Sequence, residues 1–127
     1  MNINDALLAQ TILNAARGAA GSEWKSVAPF AVVEMRKLAR TVGDIEALLR
    51  RGVIDGERAL QLFELQQRAA HGVLATMTSG GEPFAAQLLT AGLNAIRLRV
   101  LKTVGIDLLP SGDPVVPVAQ FRAGKDL

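Results

Sequence analysis

The sequence predicts an all-α protein: a bundle of about four helices, two or three of them long, followed by an extended, proline-containing C-terminal tail. Three observations carry this. Apolar residues recur at three- and four-residue spacing over most of residues 1–109. The stretches between these runs are short and marked by Gly, Asp or Ser. Pro110, Pro114 and Pro117 crowd into the segment after Leu109, where helix is not tolerated. The bundle is therefore expected over 1–109 and the tail over 110–127.

The first helix is expected from Asp5 to about Ala20. Leu8, Ile12, Ala15, Ala16 and Ala19 share one face, Asn4 is a suitable N-cap, and Gly18 and Gly21 weaken the end. The second is expected from about Val27 to Arg51, capped by Ser26, so that Pro29 falls in the first turn where a missing N–H does little harm. Its seam is Ala28, Ala31, Met35, Leu38, Val42, Ile45 and Leu49, alternating by three and four. Glu46 and Arg50 stand at i,i+4 for an ion pair, and Gly52 follows as a stop.

The third helix is expected to start at an Asp55 N-cap and to end near Thr78. Ala59, Leu62, Phe63, Gln66, Ala69, Ala70, Val73, Leu74 and Met77 form its inward stripe, and Glu57, Gln61, Glu64, Arg68 and His71 its polar face. Ser79-Gly80-Gly81 breaks it. The fourth is expected from Glu82 or Pro83 to about Leu108. Leu88, Leu89, Leu93, Ile96, Val100 and Val104 form its main stripe, while Leu98, Leu101 and Ile106 lie outside that stripe. A helix apolar on more than one face is usually central in a bundle or covered by another subunit.

Composition bears on function mainly by exclusion. Hydrophobic residues make up 50% of the 127-residue chain and charged residues 20%, so apolar area is expected to stay exposed on a lone subunit. This favours a homo-oligomer or a part of a larger assembly. The net charge is +2, from 14 basic and 12 acidic residues, so nucleic-acid binding would need local clustering. Arg36, Lys37 and Arg40, then Arg50 and Arg51, then Arg97, Arg99 and Lys102 are the clusters present. Acidic residues are interspersed with the first two, and aromatics are only 4%, too few for a base-stacking surface. A solvated or inter-subunit ion-pairing role is expected, and nucleic acid is not the expected partner.

Catalytic residues are not apparent. No cysteine is present, which removes thiolate chemistry, disulfides and Cys-ligated metal. The one histidine, His71, lies seven residues from Glu64 on the polar face, far from the paired Glu-x-x-His pattern of a dinuclear site. Glu34 and Glu46 fall outside the apolar seam. Ser79-Gly80-Gly81 lacks the lysine of a phosphate loop. No cofactor or metal is expected, and no secretory signal is read at Met1–Asp5. The nearly uncharged stretch 69–96 is split by its Gly-Gly turn into two runs of about a dozen residues, below the ~20 a membrane-spanning helix needs. A buried hairpin is expected there, with a membrane-active hairpin as the alternative.

These features point to a non-enzymatic structural or interaction protein that self-assembles through apolar helix faces. It is expected in the cytoplasm or within a particle, and a subunit of a phage or bacterial assembly fits. The candidate interface comprises Leu89, Leu93, Leu98, Leu101 and Ile106 on the fourth helix. Val115, Val116, Val118 and Phe121 complete it on the tail, which serves as a docking arm for a neighbour or a protein partner. A small regulatory binder of protein or nucleic acid is the remaining alternative.

Overall fold

The computed structural model of the chain describes residues 4–110. Among these the protein is all-helical, without a β-strand: α1 (Asp5–Ala20), a single 3₁₀ turn (Gly21–Glu23), α2 (Trp24–Arg50), α3 (Gly56–Met77) and α4 (Gly81–Val104). Counted by unbroken helical backbone, there are three runs rather than four, because Asp5 to Arg50 is helical throughout. The 3₁₀ turn folds the first run into the α1–α2 hairpin. Gly21, at φ 57°, supplies a backbone shape that side chains disfavour, and its N–H donates to the Arg17 carbonyl.

The start of α2 differs from the sequence expectation. Ser26 does not cap it; the helix begins at Trp24, which puts Pro29 inside the helix instead of in its first turn. Proline has no N–H to give the carbonyl four residues back, which here belongs to Lys25. Both Lys25 and Pro29 are exposed. Water can therefore satisfy that carbonyl, and the helix tolerates the proline.

The helices run up, down, up and down, with α1 packed on α2 and α4, and α3 packed on α2 and α4. The diagonal pair α2 and α4 barely meet. Side-chain caps define two starts: the Asn4 side chain accepts from the Leu7 N–H at 3.1 Å and Asp55 from the Arg58 N–H at 2.8 Å. The core is largely aliphatic, with Phe63 as its one fully buried aromatic side chain among the described residues. Leu8, Ile12, Met35, Leu38, Ile45, Phe63, Leu74, Leu88, Leu89, Leu93 and Ile96 are its largest fully buried side chains apart from His71. The α1–α4 crossing is close because Gly92 lies against Ile12; a Cβ there would meet Ile12 Cγ2 at 2.7 Å.

The fourth helix ends four residues earlier than the sequence suggests. Gly105, at φ 89°, terminates it, and its N–H donates to the Leu101 and Val100 carbonyls at 3.1 and 3.3 Å. The chain then reverses. Ile106, Leu108 and Leu109 are buried as part of the core. The tail over 111–127, with Val115, Val116, Val118 and Phe121, lies outside the described residues.

Candidate interaction surfaces

The reversal after α4 is held by a two-pronged ion pair. Arg97 donates from Nε to Asp107 Oδ1 at 2.6 Å and from Nη2 to Oδ2 at 2.7 Å, and the Leu109 N–H donates to Oδ1 at 3.0 Å. The guanidinium hydrogen bonds hold the Asp107 carboxyl below the usual carboxylate range; partial burial opposes this, while the Leu109 N–H and the Arg97 charge assist. The same pair raises the Arg97 guanidinium above its ordinary value. The clamp fixes the point from which the tail departs.

Of the interface residues expected from sequence, the structure separates two groups. Leu89, Leu93 and Ile106 are in the molecule's own core, at 0%, 0% and 8% exposure, and are not open to a partner in this fold. The reason is that α4 packs against both α1 and α3, which demands a wide apolar sector. Ile106 is no longer on the helix at all. Leu98 and Leu101 remain on the surface, 62% and 42% exposed, three residues apart on one side of α4.

A second exposed leucine pair lies on α3. Leu62 was expected in the inward stripe, yet it is at the surface together with Leu65, which is 63% exposed. Both line a groove between α3 and α2 whose other wall includes Ile45 and Leu48, with Thr41 and Asp44 beside it. Ala69 and Met77 are also exposed rather than inward. The buried line of α3, Ala59, Phe63, Ala70, His71 and Leu74, is narrower than the sequence stripe and is rotated to include His71.

That rotation buries His71, expected on the polar face. It is 2% exposed, and its Nε2 donates to the Glu82 carbonyl at 3.2 Å, at the start of α4. Its Nδ1 is buried without a hydrogen-bond partner. The histidine thus links α3 to α4 across their turn. Glu34 and Glu46, expected outside the seam, are likewise buried at its edge. Each is tied to a cation on its own helix: Glu34 to Lys37 at 3.3 Å, and Glu46 to Arg50 at 2.6 Å as the spacing predicted.

Among the described residues no group of three or more His, Asp or Glu side chains is placed to hold a metal ion. No described helix is long and apolar enough to cross a membrane. A different surface runs along the outer side of the α1–α2 hairpin, where Arg36, Lys37 and Arg40 face Asp5 and Gln10 over a floor that includes Ala9 and Leu13. No family model, curated protein or solved structure matches the chain.

Proposed function

We propose that this protein is a non-enzymatic interaction module that associates with copies of itself through its exposed helix faces, with the C-terminal segment as a docking arm. The observation that carries the reading is the presence of two surface leucine pairs, Leu62 with Leu65 on α3 and Leu98 with Leu101 on α4. Each pair is spaced three residues apart, so each forms one continuous strip along its helix. Fully burying an exposed leucine side chain contributes about 1.5–3 kcal/mol, and each of these four, 36–63% exposed, would contribute a part of that. Single exposed leucines need no explanation, but paired strips on neighbouring helices are the surface an assembly subunit presents.

The arm belongs to the same reading. Val115, Val116, Val118 and Phe121 offer apolar side chains in a segment that also carries Pro114 and Pro117. A phage or bacterial assembly is the kind of particle such a subunit would serve.

Light scattering tests the proposal. The full chain should have a mass above the 13.4 kDa of one copy. A chain ending at Pro110 should fall to a lower mass, or assemble only at higher concentration. A monodisperse monomer that ignores removal of the arm would end the reading.

A further inference from the structure

The outer surface of the α1–α2 hairpin is a separate feature that the leucine strips do not use. Its wall on α2 carries Arg36, Lys37 and Arg40. Further along, where the hairpin turns, Arg17 and Lys25 line a second depression beside Trp24. The two depressions share one side of the hairpin. Gln10 and Arg17 are two helical turns apart on α1, and Lys25 and Arg36 are three turns apart on α2. Between Lys25 and Arg40 this side is about 22 Å long at 1.5 Å per residue.

Its charge is one-sided. Five cations line the two depressions, and Asp5 is the single carboxylate among the residues lining them. Lys37 is shared with Glu34. Arg36 and Arg40 are exposed, one turn apart, and among the described residues neither forms an ion pair with a carboxylate. A chain of net charge +2 thus concentrates its excess base along one groove. The floor is apolar, with Ala6, Ala9 and Leu13 between the charged walls.

We infer that this groove docks an acidic amphipathic helix of a partner protein. Carboxylates one turn apart on such a helix match Arg36 and Arg40, and small apolar side chains on its other edge match the alanine and leucine floor. Arginine is suited to this, since its fork takes a carboxylate with two bonds. A nucleic-acid strand matches the charge but not the floor. Trp24 is the one aromatic residue lining either depression, so no series of bases can stack along it.

Fluorescence anisotropy with the full chain decides the matter. The probe is a labelled helical peptide of about 15 residues, enough to cover the groove at 1.5 Å per residue, with Glu along one edge and Ala and Leu along the other. Its Glu→Lys counterpart and a labelled single-stranded oligonucleotide form the other arms. The acidic peptide should bind, more weakly as salt rises, and the Lys peptide should not. Arg36→Glu with Arg40→Glu should weaken binding about tenfold or more, from two lost ion pairs of up to about 1 kcal/mol each plus repulsion. Both residues are exposed, so the melting temperature should hold, and Arg99→Glu, away from the groove, should leave binding intact. Equal binding of the doubly substituted chain would overturn the inference. So would binding of the oligonucleotide in place of the peptide, or no binding of the acidic peptide at low salt. The leucine strips are untouched in every variant, so this result and the assembly mass are independent.

Discussion

Arg97 and Asp107 close the bundle by holding Gly105–Leu109 against it, and the pair has a pH signature. Asp107 titrates lower in the folded chain than in the unfolded one, because the ionised form is the one Arg97 and the Leu109 N–H stabilise. The stabilisation is therefore fully present above the ordinary carboxylate range and is lost as pH falls through the lowered folded value. Thermal melts from neutral to acidic pH should show a fall in stability that is shallower in Asp107→Asn, whose neutral-pH stability is already reduced. Identical acid profiles would show that the pair contributes nothing. His71 makes the opposite kind of prediction. Its replacement by leucine removes one hydrogen bond but also a buried, unpartnered Nδ1, so the cost should stay below about 1.5 kcal/mol in chemical denaturation. His71→Ala leaves a cavity and should cost about 2–4 kcal/mol. Neither the Arg97–Asp107 pairing nor the burial of His71 was legible in the sequence. Arg97 and Asp107 are ten apart and meet only because Gly105 turns the chain. His71 looks polar-facing until the side of α3 that meets α4 is known.

At the scale of the helices, two glycines that look alike in sequence differ in space. Gly92 lies under Ile12, a branched side chain with no exposure, so Gly92→Ala forces the α1–α4 crossing apart and should cost about 1–3 kcal/mol. Gly43 faces Asp5, an exposed side chain that can swing away. Gly43→Ala should therefore be neutral or gain up to about 1 kcal/mol from helix propensity. Pro29→Ala restores the N–H that α2 lacks and should raise the melting temperature; a fall would show that the proline shapes the helix favourably. Periodicity made α1, most of α2 and the Asp55 start of α3 legible, since caps and seam agree there. It failed where the chain changes direction without a strong marker. Nothing local distinguishes a helix starting at Trp24 from one starting at Val27. Leu98, Leu101 and Ile106 read as one second face until Gly105 separates the first two from the third.

The described residues form a core of their own, with two leucine strips and a basic groove on the surface of the bundle. The sequence indicated surplus apolar surface, and Leu98 and Leu101 are exposed on α4. It could not place Leu62 and Leu65, because a helix between two neighbours buries a sector whose direction only the packing sets. These strips are proposed to join copies of the chain. Sedimentation velocity across a concentration series tests this most directly, comparing the natural chain with one carrying Leu62→Gln, Leu65→Gln, Leu98→Gln and Leu101→Gln. These side chains are on the surface, so helicity by circular dichroism should be retained. The natural chain should sediment above 13.4 kDa and the substituted chain at 13.4 kDa. A natural chain that remains at one-copy mass at every concentration, or a substituted chain that assembles equally well, would contradict the account.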